Sequence, residues 1–488
     1  MAFALTARER RWLALLVVVV AGVRLATLGA YPLLDPTEAR YAEIARKMLE
    51  TGDWVMPQFD YGVPFWGKPP LSTWLSAAAM GAFGSNEFAA RLPSFLLLIG
   101  SGTLVWRLAA ARGGRDQGLW TLVPFATTGL VFVAAGAVMT DPALALGTTL
   151  SMAGFWLAVN GSSRRAGAGM FFFGLAIGLL AKGPVAAVLT FVPIGAWTLW
   201  TRRWAAVWRA LPWLAGAAAT TVLVVPWYWA AERASPGFLD YFLVGEHWKR
   251  FVESGWKGDL YGAAHARPRG MIWLFWIGAA LPWSLLALGW LARAAIRRPD
   301  DERRLAADPW LAYLVLWTVT PMLFFTVSGN VLATYVLPGL PAFALLVGEL
   351  WRPAPGDAHA LRPAVRVAIA GALILPVAMA AAIVTQRHRF EYVLSHRALV
   401  DMWDARRGGP AERLVYVGQR PVSAEFYARG KVVTVPDAAA LAPYLDDATA
   451  DFVVFRAQDL AALPAEARAR LAPLGEFGEY RLFREVLR

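Results

Sequence analysis

Asp35, Glu38, Arg40, Lys68, Asp141, Lys182, Glu246, His247, Arg250, Asn330 and Tyr335 are polar side chains that interrupt or border long apolar runs. Polar groups at membrane depth are costly, so a set of them that can converge is a functional-site hypothesis in its own right. Lys68 lies in W-G-K-P-P, Lys182 in A-K-G-P and Arg250 in E-H-W-K-R-F. Cations in such stiff, Pro-broken turns suit a phosphate lodged at a membrane surface. Each lysine would alone read as a snorkelling interfacial residue. Asp35, Glu38 and Asp141 supply candidate acids for proton abstraction. Asp35-Pro36 and Asp141-Pro142 also fit helix N-caps followed by proline. Glu38 would sit in the first turn of a helix running to Lys47, where a carboxylate complements the helix dipole. Glu246 and His247 could hold a metal, but no second histidine follows at i+4, and His265, His359, His388 and His396 are scattered. A hydrogen-bonded loop histidine is the plainer reading. Tyr335 reads equally as an interfacial aromatic or as a donor to the same phosphate.

The elements that must carry these residues are membrane helices. The chain is 58% hydrophobic and 17% charged, with a mean hydropathy of +0.45, too apolar for an ordinary soluble protein. Its formal charge of +12 comes from arginines in short loops between apolar runs, a topology signal that argues against nucleic-acid binding. Without cysteine, disulfides, iron–sulfur clusters and thiol nucleophiles are excluded. The 24 Trp and 13 Tyr fit interfacial anchoring. Spans are expected at about 12–28, 92–111, 119–138, 142–160, 167–181, 184–201, 212–231, 271–291, 309–328, 335–351 and 366–385, following the ~20-residue requirement for crossing hydrocarbon. The 71–83 segment is too short and is read as juxtamembrane. This threading puts Arg112/Arg115, Arg164/Arg165, Arg202/Arg203/Arg209, Arg293/Arg297/Arg298/Arg303/Arg304 and Arg352/Arg362 on the N-terminal, cytoplasmic side. All the polar candidates then face the periplasm. The first span is read as uncleaved, since no small-residue cleavage motif follows it.

After residue 386 the composition changes. R-L-V-Y-V-G, K-V-V-T-V, D-F-V-V-F and Y-R-L-F are β-prone, and D-A-A-A-L-A-P-Y-L-D-D and P-A-E-A-R-A-R-L-A-P-L are helix-prone. This alternation predicts a small periplasmic α/β domain at 386–488. No G-x-G-x-x-G follows its first strand, so a structural or acceptor-guiding role is favoured over nucleotide binding. The remainder, 1–385, is the expected catalytic membrane domain, with periplasmic loops at about 31–91 and 232–270.

D-P-T-E-A-R-Y-A-E-I-A-R-K-M, T-G-D-W-V-M-P, W-G-K-P-P-L-S-T-W, M-T-D-P-A-L-A, A-K-G-P, G-E-H-W-K-R-F, A-L-P-W and A-T-Y-V-L-P-G-L-P follow one another in this chain. In that order they resemble the polyprenyl-phosphate-sugar glycosyltransferases of the GT-C fold, in particular the lipid A aminoarabinose transferases and their bacterial protein-mannosyltransferase-like relatives. The resemblance implies a polytopic α-helical membrane protein with about 11–13 transmembrane helices and the C-terminal α/β domain, in the bacterial inner membrane. It implies an inverting enzyme that takes a sugar from undecaprenyl phosphate and passes it to a periplasmic acceptor such as lipid A. Arg40, Tyr41, Lys68, Lys182, Arg250 and Tyr335 would lie near the lipid phosphate, and Glu38, Asp141 and Asp35 would be the acids. No cofactor is required, although a divalent metal at His247 and Glu246 stays open. The chain departs from the family pattern at Thr37, where the first acid of D-E-x-R-Y is usual, at Gly67, where an acid usually precedes the loop lysine, and at Asn330, where a basic residue is usual. Mannose or a uronic acid, or a glycan, lipid or protein hydroxyl, are the nearby alternatives. A glycolipid transporter is the alternative of a different class; the paired half-repeats and broken mid-bilayer helices common in transporters are not evident in the sequence.

Overall fold

The computed structural model describes residues 5–161, 163–262, 264–297, 308–350 and 363–486. His359 and the expected loop arginines Arg298, Arg303, Arg304, Arg352 and Arg362 lie outside them. Helix α1 (Ala7–Ala26) opens on a capping box, in which the Thr6 hydroxyl accepts from the Glu9 amide and the Glu9 carboxylate accepts from the Thr6 amide. Helix α2 (Thr37–Thr51) stops at Gly52, whose φ of 70° is left-handed backbone that glycine adopts without a Cβ clash. A two-stranded ribbon, β1 (Gln58–Asp60) and β2 (Val63–Pro64), leads to the Lys68 turn, then to α3 (Leu71–Phe83) and the long α4 (Glu87–Gly113).

The stretches expected to cross the membrane fall on helices, but not all are continuous. Among the described residues, five helices are long and apolar enough to span by themselves, and a sixth span results if a bent pair is counted as one. Shorter apolar helices occupy Leu71–Phe83, Val185–Thr201, Pro309–Phe325 and Ile369–Thr385. The expected 119–138 span is split into α5 (Arg115–Thr127) and α6 (Gly129–Ala134). At the break, Thr127 and Thr128 donate their hydroxyls to the Val123 and Pro124 carbonyls, and the Gly129 amide goes to Leu281. The expected 271–291 span bends by 117° between Met271–Ala279 and Trp283–Ala292, at Pro282, which has no N–H to continue the helix.

Helices α7 (Asp141–Asn160) and α8 (Arg164–Lys182) pack in very close contact. Gly147 and Gly154 face Gly167, Gly174 and Gly178 so closely that a Cβ on Gly147 would lie 2.6 Å from the Gly178 nitrogen, and one on Gly154 2.5 Å from the Gly167 oxygen. Small residues on facing helices permit this backbone approach in a membrane. The antiparallel hairpin brings the first residue of α7 beside the last of α8, and α9 (Val185–Thr201) follows at once.

The C-terminal sheet has the order β4-β3-β5-β7-β6. β3 (Leu414–Val417), β4 (Val432–Val435) and β5 (Phe452–Arg456) pair in parallel, and β7 (Tyr480–Glu485) runs antiparallel to β5. The second half of P-A-E-A-R-A-R-L-A-P-L is not helix as expected. It opens β6 (Leu471–Phe477), an edge strand on β7 whose Pro473 and Gly475 sit at a register shift, consistent with proline being tolerated at sheet edges and bulges. Apolar clusters cover both faces, one around Leu399, Trp403, Tyr416 and Phe452, the other around Val415, Leu441, Val453 and Phe455. The sheet docks onto the α2 region through Tyr427, which receives the Leu33 amide and donates to Glu87, and through an Arg420–Asp60 ion pair.

Candidate active site

Two ion-paired groups meet at one cavity. Lys68 donates to Glu246 at 2.8 Å, and Arg250 donates to the other oxygen of Glu246 at 2.9 Å and pairs with Asp259 at 3.1 Å. Lys182 donates to Asp141 at 2.6 Å, and its ammonium lies 4.5 Å from the centre of the Tyr335 ring. The Gly-packed α7–α8 hairpin sets the second pair. The first is set by a nine-residue π-helix, Tyr241–Lys249, a wide coil often found at functional sites. Asn330 fixes the turn after it: its amide donates to the Arg250 and Glu253 carbonyls, at 2.6 Å each, and its oxygen accepts from Gly255.

The cavity, about 380 Å³, is lined by Lys68, Lys182, Glu246, His247, Arg250 and Tyr335 on its polar side. Its apolar wall runs along the first turns of α9 through Val185, Val188 and Leu189 and is completed by Phe324 and Phe325. Burial alone would raise the Glu246 carboxyl, but Lys68 and Arg250 outweigh it and bring it down to about 2. Burial likewise opposes the Lys68 ammonium, yet Glu246 and Tyr41 carry it above its ordinary value. Both groups are therefore charged at neutral pH. Counting donors, Lys182 spends one of its three N–H groups on Asp141, and Arg250 meets its carboxylates through Nη1. The cations are held in place with N–H groups to spare, which suits recognition of an anion.

His247 places Nδ1 2.7 Å from the Phe242 carbonyl and Nε2 3.1 Å from the Lys182 carbonyl. Burial first, and the Lys68 charge with it, pushes its pKa down, towards the neutral form. A neutral imidazole has one N–H, so it donates to one of these two carbonyls, and the ring packs between the π-helix and the end of α8. No group of three or more His, Cys, Asp or Glu side chains suited to a metal occurs among the described residues.

The other expected acids do not join this cavity. Glu38 accepts from Arg91 Nε at 2.8 Å and Nη2 at 2.9 Å, and from the Leu34 and Val138 amides. Arg91 gives its remaining N–H groups to the carbonyls of Leu28, Tyr31 and Pro32. Arg91 is not among the candidates above; its place in F-A-A-R-L-P, just inside an apolar helix, is the sequence signal that marks it. Asp35 receives the Ser423 amide at 2.9 Å and the Ser423 hydroxyl, so it joins the C-terminal sheet to α2. Arg40 lies beside Gly262, with a buried Nε that has no hydrogen-bond partner among the described residues. Tyr41 stands edge-on to Phe65 at 6.1 Å.

Comparison with known proteins agrees with this architecture. Residues 11–242 match the family model for dolichyl-phosphate-mannose-protein mannosyltransferases. The chain is 34% identical over 321 residues to an undecaprenyl phosphate-alpha-4-amino-4-deoxy-L-arabinose arabinosyl transferase from Erwinia tasmaniensis, covering 65% of this chain and 55% of that one. It is 33% identical over 371 residues to the protein of the same description from Pseudomonas paraeruginosa, covering 73% and 62%. The chain thus spans a little over half the length of these curated relatives. In three dimensions it superposes on ArnT from Cupriavidus metallidurans bound to undecaprenyl phosphate with a TM-score of 0.78 at 20% identity, over 99% of each chain. The Archaeoglobus fulgidus oligosaccharyltransferase is more distant, with a TM-score of 0.51 at 12% identity over 92% of this chain and 70% of that one. The chain has the fold of ArnT, and over part of their length it is similar in sequence to the aminoarabinosyl transferases.

Proposed function

We propose that this protein is an inverting glycosyltransferase that moves aminoarabinose from undecaprenyl phosphate to lipid A. The observation that carries the reading is the meeting of Lys68, Lys182, Arg250 and Tyr335 at a cavity with an apolar wall, the shape of a phosphate with a hydrocarbon tail. The names of the relatives, and the undecaprenyl phosphate bound to ArnT, supply the donor and the sugar. In transfer, the bond from the anomeric carbon to the donor phosphate oxygen breaks as an acceptor oxygen bonds the opposite face of that carbon. Undecaprenyl phosphate leaves with the electron pair. Lys68, Lys182 and Arg250 stabilise the charge that develops there, and do so most where water is excluded. A lipid A phosphate is already an anionic nucleophile, so Asp141 then serves to orient Lys182 and the sugar. With a hydroxyl acceptor, as the mannosyltransferase family match favours, Asp141 is the carboxylate that takes the proton.

In this reading Arg40 and Tyr41 line the approach to the phosphate, residues 1–385 form the catalytic domain, and 386–488 form a soluble domain. The protein lies in the inner membrane with its N-terminus cytoplasmic, and the catalytic cavity and C-terminal sheet face the periplasm. The test is to incubate purified protein in detergent with undecaprenyl-phosphate aminoarabinose and lipid A and to follow the acceptor mass. Gain of one aminoarabinose, lost in Lys68→Ala, is the expected result. No product with this donor, or equal product from Lys68→Ala, overturns the proposal, and mass spectra of lipid A from cells with and without the gene settle the acceptor.

A further inference from the structure

A second cavity, separate in its lining from the first, lies among α1, α4, α5 and α6. It holds about 300 Å³ and is bounded by Val17, Ala21, Phe95, Leu98, Phe125 and Phe132. Ile99 and Thr103, exposed residues of α4, stand at its open side. The one charged side chain in this lining is Arg24, which is only 2% exposed. No carboxylate pairs with it among the described residues. Its Nη atoms reach only neutral oxygens, those of Thr27, Tyr31 and the Val133 carbonyl, at 3.2–3.3 Å, and its Nε is buried with no hydrogen-bond partner. The place is shaped for the guanidinium: a Cβ on Gly136 would fall 1.8 Å from Arg24 Nη2. Arg91, by contrast, has a carboxylate and every N–H bonded.

A buried cation without a counter-charge is strongly unfavourable unless an anion joins it. The cavity is apolar and opens on the lipid-facing side of α4, so an anion reaching it must carry hydrocarbon. We propose that this groove binds one anionic glycerophospholipid of the bilayer, with an acyl chain between α1 and α4 and its phosphate on Arg24. Arg24 also holds the Val133 carbonyl, and Tyr31 holds that of Gly136, so the bound lipid braces the turn that leads to Asp141.

The test uses the full-length protein, delipidated in detergent and offered phosphatidylglycerol or the phosphate-free diacylglycerol with the same acyl chains, with retained lipid counted by native mass spectrometry. Wild type should retain phosphatidylglycerol in preference by about tenfold, as one charge-assisted hydrogen bond would give. Arg24→Gln should abolish the preference. Ala21→Phe fills the groove without touching the charge and should abolish retention; it keeps the idea testable if Arg24→Gln does not fold. Equal retention of the two lipids by wild type, or an undiminished preference in a folded Ala21→Phe or Arg24→Gln protein, overturns the proposal.

Discussion

Two carboxylate–cation assemblies in this fold do opposite things. Around Glu38 and Arg91 every guanidinium N–H and both carboxylate oxygens are taken by the chain itself. Around Lys68, Glu246, Arg250 and the neighbouring Lys182–Asp141 pair, the cations are oriented but not used up. Residue types are alike in the two, but the Arg91 side chain is fully buried, whereas those of Lys68, Lys182 and Arg250 keep some exposure. Saturation separates an anchor from a site, because a cation with no spare donor offers a ligand nothing, while one that is fixed and half-satisfied is already aimed at it.

Breaking each assembly should therefore give different signatures. Arg91→Ala leaves Glu38 buried without its counter-charge and should lower stability by about 3–5 kcal/mol, seen as a large drop in thermal midpoint or loss of folded protein on size-exclusion chromatography. Lys68→Ala should instead leave the midpoint nearly unchanged and lower transfer by about a hundredfold or more, as removal of a transition-state donor does. A fully active Lys68→Ala protein would erase the distinction drawn here. Asp35→Ala removes the acceptor of Ser423 at the joint with the C-terminal sheet and should cost about 1–3 kcal/mol, read as faster proteolysis between the membrane domain and the sheet.

The smallest effect concerns pH. The folded-state value of the Glu246 carboxyl, about 2, lies below its ordinary 4.5. Its contribution to stability is therefore fully present above about 4.5 and is lost as pH falls towards 2. The difference in thermal midpoint between wild type and Glu246→Gln should be constant from pH 8 to pH 5 and shrink below about pH 4. A difference that already shrinks between pH 7 and 6 would show that Lys68 and Arg250 do not hold this carboxylate.

Much of this arrangement was legible in the chain because hydropathy and arginine placement fix which end of each helix a residue occupies. That is why Lys68, Lys182, Arg250 and Tyr335 could be put on one side before any contact was known. What one side does not specify is partnership. Glu38 and Asp141 read alike as acids near helix starts, and only the fold pairs one with Arg91, 53 residues away, and the other with Lys182. The π-helix that carries Glu246 and ends just before Arg250 has no sequence period distinct from an α-helix over nine residues. The splits at Thr128 and Pro282 were hidden because an apolar run reads as continuous whether or not its hydrogen bonds are. The first residues of β6, Leu471 to Leu474, read as helix because their strand state depends on pairing with β7, an interaction between segments rather than a local propensity.

The glycine contacts between α7 and α8 carry one more consequence, for motion. Where Gly147, Gly154, Gly167, Gly174 and Gly178 let two backbones touch, neither helix can slide past the other without driving carbonyls and amides into collision. A slip of one helical turn, about 5.4 Å, would also part Asp141 from Lys182. The hairpin acts as a fixed ruler for that end of the cavity. If the proposed lipid-linked donor needs the cavity to open, the movement is expected on the opposite wall, where the π-helix meets the end of α8 through His247 and through Leu180, which packs on the apolar cluster of Phe242.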